Sequence, residues 1–413
     1  MRVFSGDAAL RRVRTLERRG SEFAHLEPQV RRIVERVRRD GNKALRAYAL
    51  KWDGLKPKQK IRVSDAELKA AWAAATPELR KALAQASANL RRFCEWQRPR
   101  EWRRSATGIS LGQVVRPIKS VGCYVPGGRH SLVSTLLMTV IPAQVAGVSN
   151  IRVASPDPKK ELLAAAHMLG VREVYRVGGA HAIAALAYGT RDIPRVDKIV
   201  GPGNLYVTVA KKLVSFDCAI DFLAGPTEVV IVSSRGRAKF IAADLVAQAE
   251  HDTAAVPIFI TTSKILAQDV RLATGEFAQN NPTARRSLAL HGAILLAPSR
   301  DEALAWANRI APEHITVEAR DLPYIQNAGS IFVGDYSAQA AGDYAAGPNH
   351  VLPTAGVARF RGGLSVHDFV KIITVQEASK RGLQNIGRTV AFLAEAEGLM
   401  AHAQSILVRC PNA

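Results

Sequence analysis

The stretch DLVAQAEHD, residues 244–252, sets Asp244, Gln248, Glu250, His251 and Asp252 into a run of Ala, Leu and Val. In a helix Gln248 and His251 stand at i and i+3 and share one face. An amide oxygen and an imidazole nitrogen on one face are two donors toward a metal ion. Further along, IAPEH sets Glu313 beside His314 at the mouth of the strand-like run HITVEA. The glycine-rich loop AAGDYAAGPNHVLP holds Asp343 and His350, and the C-terminal helical stretch AEAEGLMAHA holds Glu397 and His402. Separate elements thus present His beside carboxylates, with no thiolate among them. Nitrogen and oxygen donors of this kind suit Zn2+, and also Mn2+ or Co2+. The adjacent Glu313 and His314 suit acid–base work. An imidazole with a pKa of about 6.5 takes a proton from an alcohol, and a neighbouring carboxylate activates water. No HExxH spacing is present, so the pattern names candidate residues rather than a known metal motif.

These residues need elements to hold them. Residues up to about 100 read as helices, broken at Gly41 and Gly54. SDAELKAAWAAA opens with the Ser–Glu spacing of a capping box, and Pro77 follows a Thr cap. From about residue 110, short β-branched runs alternate with Ala- and Leu-rich helices, the pattern of a parallel sheet covered on both faces. The expected fold class is α/β, with two Rossmann-like units whose sheets are rich in parallel strands. Helical N-terminal and C-terminal segments flank them, and FVKIITVQEASKRGL is read as part of the C-terminal helical stretch. The expected division is a helical arm over 1–24, a discontinuous α/β domain with the metal site over 25–120 and 229–365, a Rossmann-like cofactor domain over 121–228, and a C-terminal segment over 366–413.

Glycine turns follow the expected strands: VPGG (125–128), VGGA (177–180), GPGN (201–204) and AGPT (224–227). Open α/β sheets bind ligands at the carboxyl ends of their strands, where these turns fall. Small residues there let a dinucleotide approach the backbone. The GxGxxG fingerprint with its downstream acid is missing.

Taken in order, VGCYVPGG, GPGN, AGPTE, QAEHD, APEH, GDYAAGPNHVLP and AEAEGLMAH resemble the histidinol dehydrogenases over nearly the whole chain. The resemblance implies a four-electron oxidation of L-histidinol to L-histidine by way of L-histidinal, the last step of histidine biosynthesis. It implies NAD as acceptor and one zinc ion per subunit of a homodimer. It implies metal ligation by Gln248, His251, Asp343 and His402, with His402 supplied in trans. It makes Glu313 and His314 the catalytic acid–base pair. Substrate contacts fall to Thr227, Gln248, His251, His314, Asp343, His350, Glu397 and His402. Cofactor contacts fall to Tyr124, His181 and Asn204. Two positions depart from the family pattern: His181 stands where a Gln is usual, and Thr227 where a Ser is usual. A relative that oxidises another polyol or a sulfonated diol is the nearest alternative.

Composition narrows the field further. The net charge is +21, and WQRPREWRR (96–104) interleaves Trp with Arg as nucleic-acid binders do. The complete acid–base and ligand set argues against a nucleic-acid function. No apolar run reaches the ~18 residues of a membrane span. Cys94, Cys123, Cys218 and Cys410 lack CxxC pairing, which argues against a disulfide framework and a thiolate metal site. The expected location is the cytoplasm.

Overall fold

A computed structural model of the protein describes residues 1–19, 24–127 and 132–410. Residues 20–23 of the expected arm, and Gly128 of the first glycine turn, lie outside the described residues.

The chain opens with strand β1 (Arg2–Ser5) and helix α1 (Gly6–Glu17). Helices α2 (Glu27–Asp40), α3 (Asn42–Trp52), α4 (Asp65–Ala74) and α5 (Pro77–Trp96) follow. Their starts obey the sequence. Ser64 and Glu67 form a reciprocal capping box on α4, and Thr76 accepts from the Leu79 N–H on α5. Strands β2 (Trp102–Ala106) and β3 (Ile109–Pro117) then form a hairpin. Its turn residues, Thr107 and Gly108, have φ of 52° and 85°, the left-handed geometry that tight hairpins require.

The first α/β unit runs β4 (Ser120–Tyr124), α6 (Val133–Ala146), β5 (Asn150–Ala154), α7 (Lys160–Met168), β6 (Glu173–Tyr175), α8 (Gly179–Tyr188), β7 (Lys198–Val200), α9 (Leu205–Val214) and β8 (Ala219–Ile220). Its five strands are parallel in the order β6-β5-β4-β7-β8. The chain steps outward from β4 to β6 and returns on the other side of β4. The switch point therefore lies between the carboxyl ends of β4 and β7.

The second unit runs β9 (Glu228–Val232), α10 (Ala238–Ala249), β10 (Val256–Thr261), α11 (Lys264–Phe277), α12 (Pro282–Leu290), β11 (Ala293–Leu296), α13 (Arg300–Ile310), β12 (His314–Val317), β13 (Ser330–Val333) and α14 (Gln339–Tyr344). Its six-stranded sheet is parallel throughout, in the order β1-β11-β10-β9-β12-β13. β4 and β9 are buried along their whole length, as central strands covered on both faces must be. The chain ends with β14 (Val370–Ala378), α15 (Lys380–Ala396) and α16 (Met400–Leu407).

Three expectations need correction. The first residues are not an arm. β1 pairs with β11, and Ala9, Val13 and Leu16 of α1 share a core with Leu304, Trp306 and Ala307 of α13. Their i, i+4, i+7 spacing gives α1 one apolar face, and that face needs a partner. Second, residues 25–120 pack mainly against the first unit and not against the six-stranded sheet, although Asn89 of α5 donates to the Ala345 carbonyl. Val30, Ile33, Val34 and Val37 of α2 pack with Ile183, Leu186 and Val209 of the first unit. Leu68, Leu83 and Leu90 of α4 and α5 join Leu137, Leu162 and Leu163. The six-stranded sheet instead recruits β1 and α1. Third, FVKIITVQEA is not helical beyond Phe369. Val370–Ala378 pairs antiparallel with β3, whose other neighbour is β2. Val370, Ile372, Ile373, Thr374 and Val375 are β-branched, and such a run favours a strand over a helix.

Candidate active site

The two sheets contribute opposite ends to one cleft. From the first unit come the loops after the carboxyl ends of β4, β7 and β8. From the second come the amino ends of β9 and β12, which are neighbours in the sheet. Between them lies a cavity of about 250 Å3 lined by Thr227, His251, Glu313, His314, Asp343 and His350, with Pro126, Pro202 and Gly203 from the first unit.

Glu313 and His314 are buried at the head of β12. Glu313 Oε2 accepts from the Thr227 hydroxyl at 2.5 Å and from the Glu228 N–H at 2.8 Å. Burial pushes its carboxyl up to about 7, against the pull of His314 and these donors. His314 Nδ1 faces the Glu228 carbonyl at 3.2 Å. A carbonyl only accepts, so Nδ1 carries a proton, and in the neutral ring the lone pair lies on Nε2. Nε2 is buried without a hydrogen bond, and Asp343 Oδ1 lies 3.4 Å away. Burial alone would lower the pKa of His314. Glu313, Asp343 and the Glu228 carbonyl outweigh it and raise the imidazole to about 9. A bare imidazole nitrogen beside two carboxylates can hold and release a proton.

Thr227, Gln248 and Gln339 continue the network. Gln248 is wholly buried on α10. Its amide nitrogen donates to Thr227 Oγ1, and its oxygen accepts from the Gln339 amide. That oxygen keeps a second lone pair for a ligand. His251 follows the end of α10, and Asp343 sits on α14, a short helix where a loop was expected. His350 bridges the two units: Nδ1 meets the Asp343 carbonyl at 2.7 Å, and Nε2 meets Thr135 Oγ1 at 3.2 Å. Burial lowers its pKa and keeps it neutral. Two nitrogen and oxygen candidates, His251 and Asp343, line the same cavity, and Gln248 lies behind its Thr227 wall, a donor set that fits a zinc ion in part. Among the described residues no group of three His, Cys, Asp or Glu side chains forms a ready cage. The set in this chain holds one imidazole and one carboxylate of that kind.

A second cavity of about 690 Å3 opens beside the first and shares Pro126 with it. Tyr124, His181 and Asn204 line it, so the structure gathers all three expected cofactor contacts. Tyr124 ends β4 and Asn204 follows β7, at the switch point of the first sheet. The Tyr124 hydroxyl accepts from the Gly179 N–H at 3.0 Å, and Asn204 Oδ1 caps α9. The GPGN turn between the cavities is clamped by a buried Lys211–Asp221 pair. Lys211 donates to the Gly201 carbonyl at 3.1 Å, and Asp221 accepts from the Gly201 N–H at 2.8 Å. Gly201 has φ of 113°, and a Cβ there would collide with the Tyr124 carbonyl. His181 Nε2 lies 2.6 Å from Asp53, and its ring sits beside Tyr48 and Trp52.

The comparisons with known proteins agree over almost the full length. A family model described as histidinol dehydrogenase matches residues 16–410. The histidinol dehydrogenase of Bacillus cereus (strain ATCC 14579) is 45% identical over 397 residues, covering 93% of this chain and 92% of that one. The chain belongs to the histidinol dehydrogenase family. It is an oxidoreductase. The histidinol dehydrogenase of Methanothermobacter thermautotrophicus is 46% identical over 387 residues, 90% of this chain and 91% of that one. The crystal structure of histidinol dehydrogenase from Elizabethkingia anophelis superposes with a TM-score of 0.93 at 35% identity. It covers 99% of this chain and 98% of that one.

Two family candidates stand apart from the cleft. Glu397 and His402 are exposed. They do not share one helix, because Gly398, with φ of 75°, separates α15 from α16. The two helices pack on each other through Ala391, Ala394 and Ala403 and leave Phe392, Leu393, Leu399 and Met400 exposed. WQRPREWRR forms the end of α5, a loop and the start of β2, and Arg103 pairs with Glu377 across the small sheet. Sequence reasoning missed Glu228, Asp53 and Gln339. Glu228 adjoins AGPT and was open to notice. Asp53 and Gln339 lie far along the chain from their partners, and only the fold brings them together.

Proposed function

We propose that the protein oxidises L-histidinol to L-histidine through L-histidinal, as the last step of histidine biosynthesis, with two NAD+ reduced per substrate. One observation carries the reading: a buried Glu313–His314 pair, with a bare imidazole nitrogen, faces a small cavity that adjoins the cavity of Tyr124, His181 and Asn204. His314 Nε2 accepts the hydroxyl proton of the alcohol. Glu313 takes a proton from the water that hydrates the aldehyde, and its raised pKa suits a base working near neutrality. Thr227 and the Glu228 N–H hold that carboxylate in place. NAD+, when bound along Tyr124, His181 and Asn204, supplies the hydride acceptor. Zinc, when held by Gln248, His251, Asp343 and a partner's copy of His402, supplies a charge that orients the substrate's imidazole and amine.

The exposed apolar side chains of the α15–α16 hairpin support a homodimer in which His402 and Glu397 complete the partner's site. His350 and Thr227 line the substrate cavity and fit substrate contacts. The metal-bearing domain is then β1, α1 and the six-stranded unit, and the cofactor domain is the five-stranded unit with α2–α5. Four free, buried cysteines suit a reducing compartment, so the proposed setting is the cytoplasm.

The test is a count of NADH formed per L-histidinol consumed by purified, zinc-loaded protein. Two NADH, lost with a chelator and with His314→Ala, is the expected result. A folded, zinc-loaded protein that turns over other polyols or sulfonated diols but not L-histidinol overturns the proposal.

A further inference from the structure

We infer that Arg19 and Glu228 form a positioning pair, in which the N-terminal segment of the chain fixes the geometry of Glu313 and His314. The inference rests on the assignment of those two as the acid–base pair. Glu228 is the first residue of β9, and the strand behind it is Val-Val-Ile-Val. Its backbone touches both residues. The N–H donates to Glu313 Oε2 at 2.8 Å, and the carbonyl meets His314 Nδ1 at 3.2 Å. That one peptide residue thereby aims the carboxylate of Glu313 and selects the tautomer of His314.

The side chain of Glu228 is held just as closely. Oε1 accepts from Arg19 Nε at 2.5 Å and from the Ala355 N–H at 3.1 Å, and Oε2 accepts from Arg19 Nη2 at 2.5 Å. The guanidinium forms a two-pronged fork on the carboxylate, a geometry that fixes orientation as well as distance. Arg19 Nη1 also donates to the carbonyl of Ile310 at 3.0 Å. Ile310 ends α13 and precedes Glu313 by three residues. Arg19 thus grips the chain on both flanks of the acid–base pair, from the head of β9 and from the segment entering β12. A buried ion pair adds little stability over an apolar pair of similar size. What Arg19 and Glu228 add is a fixed orientation of the Glu228 peptide, because an apolar side chain at 228 could not be forked from one side and capped by Ala355 from the other.

The pair touches neither cavity, so its removal should act on the chemical step and not on binding. Arg19→Ala and Glu228→Gln are expected to lower kcat roughly ten- to a hundredfold, the scale of a small misplacement of reacting groups. KM for L-histidinol and for NAD+ should stay within about twofold, as expected when only transition-state contacts are lost. Zinc content should be unchanged. Arg19→Lys, which keeps the charge and loses the fork, should fall between. Added guanidinium should restore part of the kcat of Arg19→Ala and leave the native enzyme unaffected. The Arg19→Ala and Glu228→Gln effects should not add in the double variant. Glu17→Ala is the control: Glu17 pairs with Arg309 near the surface of the same N-terminal segment, and its removal should leave kcat unchanged.

Full kcat in Arg19→Ala overturns the inference, whatever its melting temperature. So does a loss of kcat that guanidinium does not relieve and that Glu17→Ala shares, because that marks general loosening of the segment. If Glu228→Gln does not fold, the two Arg19 variants decide. His314→Ala separates the two layers. Activity retained there sinks the acid–base assignment, whereas an inactive His314→Ala beside a fully active Arg19→Ala sinks only the positioning role.

Discussion

The two parallel sheets are built alike and used oppositely. In the five-stranded sheet the cavity with Tyr124, His181 and Asn204 lies at the carboxyl ends of β4 and β7, where the strand order reverses. That is the ordinary ligand position of an open α/β sheet. In the six-stranded sheet the order also reverses, between β9 and β12, yet Glu228, Glu313 and His314 stand at the amino ends of those strands. The carboxyl ends of the second sheet, with Ser233, Asp244 and Glu318, enclose a space of only about 30 Å3. One sheet supplies loops and open backbone for a large ligand. The other supplies rigid strand heads, where side chains are held by ladder-bonded backbone. On the proposed function, binding and proton chemistry are divided between two kinds of strand end.

If the division is real, variants of the two regions should fail differently. The largest effect belongs to His314→Ala, which should lower kcat by roughly 10²–10⁴. Binding of NAD+, followed by fluorescence, should be unaffected. Equal losses in both would show that the regions are not separable. His181→Ala should do the reverse. KM for NAD+ should rise roughly tenfold, about the value of one hydrogen bond and its packing, with KM for L-histidinol unchanged. A pH profile should sharpen the contrast. His314 works as a base only when neutral, and its neighbours raise its pKa to about 9. The rate at low L-histidinol should therefore climb as pH rises toward that value, while the affinity for NAD+ should not follow the same curve. A flat profile between pH 7 and 9 would contradict the role of His314.

The smallest effect concerns the idle end of the second sheet. Burial raises the Asp244 carboxyl to about 6. Between the unfolded value of about 4 and that value, the unfolded chain ionises and the folded chain does not, so stability falls as pH rises through this window. Asp244→Asn should therefore stabilise the protein near pH 7.5, by about 1 kcal/mol once solvent access is allowed for. The gain should vanish near pH 4, and kcat should not change. A loss of activity would mean that this end is not idle.

Much of this division was legible in the sequence, and for physical reasons. The 3.6-residue period singled out Gln248 and His251 together, although α10 ends at Ala249 and His251 lies just past it, and the PEH run set Glu313 and His314 at the mouth of a strand. The glycine turns after strands marked the carboxyl ends of the first sheet, and GPGN and VGGA do line the large cavity. What was hidden came from pairing at a distance. Nothing local says that β12 lies beside β9, so the role of the Glu228 peptide could not be read. Nothing local says that α2–α5 pack on the first sheet, which brings Asp53 to His181. The β14 strand was masked by the long helix that follows it, although its β-branched run and the Thr107–Gly108 turn of its neighbouring hairpin were signals of a sheet. Glu397 and His402 were visible as a His beside carboxylates, but their roles came from resemblance. In one chain they lie exposed on the α15–α16 hairpin.

The most direct test is a crystal structure of the protein with NAD+ bound. The account predicts the dinucleotide along Tyr124, His181 and Asn204, with its nicotinamide end near Pro126, turned toward His314 Nε2. A dinucleotide seated instead at the carboxyl ends of β9 and β12, against Ser233 and Glu318, would contradict the claim that the two sheets are used from opposite ends.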